Sequence, residues 1–171
     1  VICCGDTKVV EKGKGDGIEK ITNAKFIKKP VVFKSRPRPY AYLLLPGATE
    51  AVDMLKRHDI TIEELSKDTM FQTQAYRLNK IEHDKKYDRP KAPFVTLDEE
   101  IMTINRTFPK GSYVIRTGQV MGRVVTHMLE PETGDNVITF NAFDKYLPQQ
   151  GKMIPIFKIM ETTPIPGVLL D

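Results

Sequence analysis

Cysteine and histidine are scarce in this sequence, and their scarcity limits the sites that it can build. The 171 residues include two cysteines, Cys3 and Cys4, and three histidines, His58, His83 and His127. Adjacent cysteines can bridge only through a strained ring, and two thiols alone cannot complete a structural zinc site. We therefore interpret the cysteine pair as small apolar residues near a chain end.

Long hydrophobic runs are also absent. The longest one, Ala41–Leu45, stops at Pro46 and is far too short to cross a bilayer, so no membrane span is predicted. The first residues, Val-Ile-Cys-Cys-Gly-Asp, lack the basic and apolar regions of a secretion signal. Because the chain does not begin with Met, it is compatible with a longer precursor, and the compartment stays undetermined.

Residue combinations that support covalent or acid–base catalysis are missing as well. The sequence has no Gly-x-Ser-x-Gly or Gly-x-Cys-x-Gly elbow. Its carboxylates occur in runs at Glu63–Glu64 and Asp98–Glu100, and such runs are typical of solvated faces. No catalytic residue is therefore predicted, and this chain is not expected to be an enzyme by itself.

One histidine and one carboxylate are candidates for a metal site. His127 and Glu130 have the spacing H-x-x-E, which can place two zinc ligands on one turn of a helix. A third ligand would have to come from His58 or His83. However, His127 follows Val120 by seven residues and falls on the apolar stripe of a predicted helix. We therefore expect a partly buried, hydrogen-bonded imidazole on the inward stripe, and we predict no metal and no cofactor in this chain.

Basic residues are concentrated at the start of the chain. Residues 1–40 hold ten Lys or Arg and four Asp or Glu, whereas the whole chain has a net charge of +4. A basic arm could contact nucleic acid, but these lysines are scattered singly and suit exposed strands equally well. We predict a basic extension or linker over residues 1–29 and no nucleic-acid partner, and we keep a basic-arm nucleic-acid binder as an alternative.

The apolar residues, 40% of the chain, are sufficient for one core. Their pattern predicts a strand covered on both faces at Tyr40–Leu45, then a helix over Ala48–His58, then a strand at Ile60–Leu65. The helical stripe consists of Ala48, Ala51, Val52 and Leu55. A strand, a helix and a strand joined by short loops predict a parallel βαβ unit with a right-handed crossover.

Alternation, helical spacing and turn residues predict the remaining elements: strands at 71–76, 94–108, 112–115 and 153–159, and helices at 120–129 and 137–147. Pro109-Lys110-Gly111 is interpreted as the turn of an antiparallel hairpin, and Pro155 places the last strand on a sheet edge. The predicted fold is α/β, a mixed β-sheet with a parallel βαβ core, flanking helices and a hairpin. The domain covers residues 30–160, and residues 161–171 form a tail.

Several short motifs are similar to those of a known family. They are Arg38-Pro39-Tyr40-Ala41-Tyr42-Leu43-Leu44-Leu45-Pro46, Glu50–Ile60, Arg106-Thr107-Phe108-Pro109-Lys110-Gly111-Ser112-Tyr113-Val114, Gly118-Gln119, Gly122-Arg123, His127-Met128-Leu129-Glu130-Pro131-Glu132 and Asn141-Ala142-Phe143. Together they resemble the region that follows the catalytic domain in large bacterial proteins of the zinc carboxypeptidase (carboxypeptidase A-like) family. The resemblance covers roughly residues 30 to 150.

The resemblance implies a C-terminal, non-catalytic accessory domain whose partner is the catalytic peptidase domain of the same polypeptide. In that family the zinc ligands, the catalytic glutamate and the substrate-binding arginine belong to the preceding domain, and no position of this sequence matches them. Zinc is then a cofactor of the parent protein, which would be periplasmic or extracellular. The alternative is a small-molecule-binding module of amidotransferase-like or flavodoxin-like architecture, with its ligand at the Pro46–Thr49 loop.

Overall fold

An antiparallel sheet of seven strands carries the fold. The computed structural model describes Val32, residues 34–83 and residues 92–170, so Cys3, Cys4 and the predicted extension over residues 1–29 lie outside the described residues. The strands are β1 (Ala41–Leu44), β2 (Glu63–Leu65), β3 (Thr69–His83), β4 (Pro93–Phe108), β5 (Tyr113–Arg116), β6 (Ile156–Ile159) and β7 (Gly167–Leu169), and the helices are α1 (Thr49–Lys56) and α2 (Gly122–Leu129). These elements all belong to Arg38–Asp171, one of the two units into which the chain divides.

The strand β1 lies at the centre of the sheet. The order across the sheet is β4-β3-β6-β1-β5-β2-β7, and each neighbouring pair is antiparallel. Tyr42 and Leu44 join the core on one face, and Ala41 and Leu43 join the core on the other. The prediction of a strand covered on both faces is therefore confirmed, because successive side chains point to opposite sides and all four are buried.

The first helix also agrees with the sequence. All four residues of the predicted stripe are buried in the core on the Tyr42 face of the sheet: Ala48, Ala51, Val52 and Leu55. The helix ends before Asp59, whose φ of 54° lies in the left-handed region and turns the chain toward β2. An apolar stripe of this spacing places one helix face against the sheet, so the helical assignment is confirmed.

The predicted parallel βαβ core is wrong, and with it the α/β fold class. The strands β1 and β2 both pair antiparallel with β5, which lies between them. They therefore run in the same direction without ever bonding to each other. The strand β5, Tyr113–Arg116, occupies the position between β1 and β2 in the sheet. Hydrophobic periodicity predicts that a segment is a strand, but it does not predict which strands become neighbours.

The predicted hairpin is also wrong, because β4 and β5 lie apart in the sheet. The hairpin is formed instead by β3 and β4, which pair from Thr69 opposite Phe108 to His83 opposite Pro93. The turn residue Gly111, with a φ of 82°, leads the chain away from β4, and its N–H donates to the carbonyl oxygen of Leu65, the last residue of β2. Turn chemistry predicts a change of direction, but not the strand that pairs next.

The segment after α2 is not the predicted second helix. It consists of turns and a short 3₁₀ helix at Asp144–Tyr146. The buried side chain of Asn136 accepts from the N–H groups of Ile138 and Thr139 at 2.8 and 3.0 Å. Its amide nitrogen donates to the carbonyl oxygen of Thr133 at 2.6 Å. These local bonds compete with helical hydrogen bonding, which explains why apolar spacing alone misled the prediction.

The last strands correct two further expectations. The strand β6 lies between β3 and β1, so it is central and not an edge strand. Pro155 precedes its first residue, Ile156, and therefore removes no donor from the ladder. The predicted tail, residues 161–171, contains β7, which pairs with β2 at the end of the sheet.

A bidentate ion pair fixes β2 against β5. Arg116 Nε donates to Glu63 Oε1 at 2.6 Å, and Arg116 Nη2 donates to Glu63 Oε2 at 3.0 Å. The hydrogen bond to Glu63 is the main reason why the pKa of Arg116 is raised. Burial of the guanidinium has the opposite effect and lowers the pKa. A Cβ at Gly167 would lie 2.1 Å from Glu63 Oε2, so the absent side chain lets β7 approach β2.

Replacing the central Leu44 tests the position of β1. We expect Leu44→Ala to lower the free energy of unfolding by about 2–5 kcal/mol, because it leaves a cavity in a fully buried strand. The matched control, Val168→Ala on the exposed side of β7, should cost about 0.5 kcal/mol or less. Urea denaturation measures both, and equal effects of the two substitutions would contradict the central placement.

Candidate functional site

Polar side chains from three neighbouring strands meet on the helix-covered face of the sheet. They are Tyr76 of β3, Lys158 of β6 and Tyr42 of β1, and Tyr42 stands directly opposite Lys158 in the strand register. Glu130, the residue that follows α2, contacts all three. We call these four residues the Lys158–Glu130 cluster.

The carboxylate of Glu130 accepts hydrogen bonds with both of its oxygens. Tyr42 Oη donates to Glu130 Oε1 at 2.6 Å, and Tyr76 Oη donates to Glu130 Oε2 at 2.7 Å. Lys158 Nζ lies 3.6 Å from Glu130 Oε1 and also donates to Tyr76 Oη. The same ammonium lies 4.0 Å from the centre of the Tyr76 ring. The carboxylate is therefore held by two neutral donors and one cation.

Because both charged groups are buried, each of them needs the other as a partner. The side chain of Lys158 is 1% exposed and that of Glu130 is 13% exposed. An isolated ammonium in such a place would cost several kcal/mol of desolvation, and a carboxylate within ion-pair distance offsets that cost. The cluster thus fixes the carboxyl end of α2 over β3, β6 and β1.

The phenol of Tyr42 is held in its neutral form. Burial is the largest cause of its raised pKa, followed by the negative charge of Glu130 and the hydrogen bond to it, while Arg38 partly opposes the shift. A neutral phenol can donate to the carboxylate, whereas a phenolate would repel it. The cluster therefore has the chemistry of a fixed charge pair, and Glu130 is its most exposed member.

The structure separates the two residues that the sequence offered as metal ligands. Glu130 turns into the cluster, but the imidazole of His127 is exposed, so the expectation of an inward histidine is wrong. The buried face of α2 carries Val125, Met128 and Leu129, whereas Val120 precedes the helix and is fully exposed. The predicted helix exists, but its inward face was assigned one position out of phase.

No group of three or more His, Cys, Asp or Glu side chains in the described part of the chain could hold a metal ion. His83 ends β3 and is exposed, and His58 follows α1 and is exposed, so neither contacts the Lys158–Glu130 cluster. The absence of a metal in this chain stays a prediction. Within the same residues, no helix is long and apolar enough to cross a membrane.

Sequence reasoning missed three of the four cluster residues: Tyr42, Tyr76 and Lys158. One signal was available for Lys158, since it interrupts the apolar sequence Ile156-Phe157-Lys158-Ile159 of a strand. A lysine between buried neighbours requires a partner. Nothing in the local pattern indicated that this partner would be Glu130.

The alternative site at the Pro46–Thr49 loop is not supported. That prediction needed a crevice at the carboxyl ends of paired parallel strands, and the sheet has no such pair among the described strands. A Cβ at Gly47 would lie 2.8 Å from the hydroxyl oxygen of Tyr146, so that side chain approaches the loop backbone closely.

Removing the charge of Glu130 should destabilise the protein strongly. In Glu130→Gln the amide nitrogen cannot accept from a tyrosine, and Lys158 loses its anion, so we expect a cost of about 3–5 kcal/mol. The double variant Glu130→Gln with Lys158→Met should lose less than the sum of the two single variants. Urea denaturation measures the cycle, with the exposed Glu161→Gln as a control. Purely additive costs would show that the two charges do not interact.

The neutral Tyr42 also predicts a loss of stability in alkali. The folded state keeps the phenol protonated at a pH where the unfolded chain loses the proton, at about 10. The stabilisation is complete below that pH and falls above it by about 1.4 kcal/mol per pH unit. Denaturation measured on both sides of about pH 10 should show this slope, and Tyr42→Phe should reduce it. An unchanged slope in Tyr42→Phe would contradict the assignment.

Comparison with known proteins relates this chain to carboxypeptidases. No protein-family model matches it, and no solved structure matches it. Proteins named Carboxypeptidase 2 from Trichophyton tonsurans and Trichophyton equinum are each 26% identical over 125 residues, which cover 73% of this chain and 22% of the relative. The protein of that name from Trichophyton rubrum is 26% identical over 131 residues, covering 77% and 23%. The chain thus spans less than a quarter of the length of the curated relatives it matches.

Proposed function

We propose that this chain is a non-catalytic C-terminal accessory domain of a zinc carboxypeptidase-like protein, and that it packs on a peptidase domain of the same polypeptide. One observation carries the proposal. The match covers about three quarters of this chain but less than a quarter of each relative, so most of the relative has no counterpart here. The C-terminal position in this proposal is taken from the resemblance of the motifs between residues 38 and 143.

The arrangement of the Lys158–Glu130 cluster favours a structural role over a catalytic one. Both oxygens of Glu130 already accept from tyrosines, and the ammonium of Lys158 is almost completely buried. A general base acts on a proton of the substrate, whereas the carboxylate of Glu130 is engaged by two phenols and an ammonium of the same chain. The cluster instead uses its charges to hold α2 on the sheet, which gives the domain a rigid surface for a neighbour.

Zinc chemistry, in this proposal, belongs to the peptidase domain. His127 and Glu130 do not converge in the structure, and His127 was one of only three histidines available to this chain. A catalytic zinc site requires three protein ligands in one place. The proposal therefore assigns no zinc ligand to residues 34–83 or 92–170, and it locates substrate binding outside them.

A domain exchange tests the proposal. In Carboxypeptidase 2 of Trichophyton rubrum, the 131-residue matching region is either deleted or replaced by this chain. We expect the deletion to lower the yield of folded protein and the release of carboxyl-terminal amino acids from peptides, and the replacement to restore both. The matched control carries Leu44→Ala in the inserted chain, which should remove most of the rescue because the domain is destabilised.

Two results would contradict the proposal. The first is release of carboxyl-terminal amino acids by the 171-residue chain alone, in the presence of zinc, at a rate that Glu130→Gln abolishes. The second is a replacement that rescues no better than the deletion although the inserted domain is folded by circular dichroism.

A further inference from the structure

The strand β4 carries the one acceptor sequence for N-linked glycosylation in this chain. Asn105-Arg106-Thr107 has the form N-x-T, and no other asparagine of the sequence is followed at the second position by Ser or Thr. A glycan is bulky and polar, so such a sequence can be a modification site only where the folded protein leaves the asparagine accessible. The surroundings of Asn105 therefore decide whether the site can be used.

Asn105 and Thr107 lie on one solvent-exposed side of the sheet. Successive side chains of a strand point to opposite faces, so residues 105 and 107 share a face and residue 106 belongs to the other. Asn105 and Thr107 are both exposed, whereas the guanidinium of Arg106 lies 4.9 Å from the ring centre of the buried Phe157. The strand thus presents the acceptor amide and the hydroxyl to solvent together, and only the middle residue of the motif faces the apolar core.

The neighbouring strand leaves this side of the sheet uncovered. In the register of β3 and β4, Gln72 stands opposite Asn105 and Met70 stands opposite Thr107. Gln72 is exposed, and Met70 is 70% exposed although it is apolar. Four residues beyond Gln72 on the same face, Tyr76 is buried and bonds to the carboxylate that follows α2. The helix layer therefore stops before this corner, and a glycan at Asn105 would shield the exposed Met70.

The side chain of Asn105 makes no contact that a glycan would break. Within the described part of the chain, neither its amide nor the hydroxyl of Thr107 forms a side-chain hydrogen bond. Asn136 differs in both respects, because it is buried and its amide bonds to backbone groups of its own turn. The acceptor motif thus occurs at an asparagine whose amide nitrogen is available, and not at one that the fold requires.

We propose that Asn105 is an N-glycosylation site and that its glycan covers the exposed corner formed by β3 and β4. In the transfer, Nδ2 of Asn105 forms a bond to C1 of an oligosaccharide carried on a lipid pyrophosphate. The lipid pyrophosphate leaves with the bonding electron pair, and the amide nitrogen gives up one proton. The inference requires that the chain is exported, since this modification belongs to secreted proteins, but it does not require the accessory role proposed above.

The protein from its own source organism gives the direct test. Peptides that contain Asn105 are compared by mass spectrometry before and after treatment with a peptide N-glycosidase, which removes the glycan and leaves an aspartate. We expect a glycopeptide that the enzyme converts to a peptide with aspartate at position 105. An unmodified Asn105 in the native protein, in whichever compartment the protein is found, would overturn the proposal. The domain exchange described above does not depend on this residue, so the two proposals fail separately.

Variants secreted from yeast behind a cleavable signal test the acceptor residues. The full 171-residue chain should carry a glycan that the N-glycosidase removes, seen as a shift in electrophoretic mobility. Asn105→Gln and Thr107→Val should abolish the shift, whereas Thr107→Ser, which keeps the hydroxyl, should retain it. The glycosylated chain should unfold at a urea concentration no lower than Asn105→Gln does. A glycosylated chain that is less stable than Asn105→Gln would show that the fold does not accommodate the glycan.

A displaced motif tests the exposed face. The variant Ile104→Asn, Asn105→Gln, Arg106→Thr moves the acceptor by one residue, onto the face whose core includes Phe157. Its matched control has Arg106→Val in place of Arg106→Thr and therefore lacks the acceptor motif. Because Ile104 is only partly buried, we expect the control to fold. A glycan at residue 104 should lower the resistance to limited proteolysis below that of the control. Equal resistance would show that either face accepts a glycan and would contradict the assignment of the exposed face.

Discussion

The ammonium of Lys158 is almost fully buried in the middle of the sheet, and the carboxylate of Glu130 offsets the desolvation cost of that buried charge. The two residues come from different elements, β6 and the end of α2, and two tyrosines on the flanking strands β1 and β3 donate to the same carboxylate. A buried charge without its partner costs several kcal/mol, so the arrangement is satisfied only when the helix and the three strands are in register. The cluster therefore couples the helix layer to the sheet.

The rest of the sheet is arranged around the same three strands. The strand β1 supplies Tyr42 and Leu44 to the helix-side core and Ala41 and Leu43 to the opposite core, so it belongs to both apolar layers. At one edge, the pair of Arg116 and Glu63 ties β5 to β2 and leaves room for β7. At the other edge, β4 ends the sheet among the described strands.

The similarity to fungal Carboxypeptidase 2 bears on the proposed role of this fold. About three quarters of the chain aligns with less than a quarter of those proteins, and the polar cluster is occupied by its own contacts. The proposed role, an internally satisfied accessory domain beside a peptidase domain, is consistent with both observations.

Local patterns determined the elements whose partners are close in sequence. The apolar run at β1 and the stripe of α1 follow from burial and from fixed backbone periods, and both were predicted correctly. The order of the strands, the outward turn of His127 and the pairing of Lys158 with Glu130 were decided only by tertiary structure. Strand neighbours are chosen by contacts between residues far apart in the chain, and the local sequence of Asn136 and its neighbours overrides an apolar spacing that otherwise suits a helix. A lysine within an apolar strand predicts that an anionic partner is needed, but only the tertiary structure determines which carboxylate lies beside it.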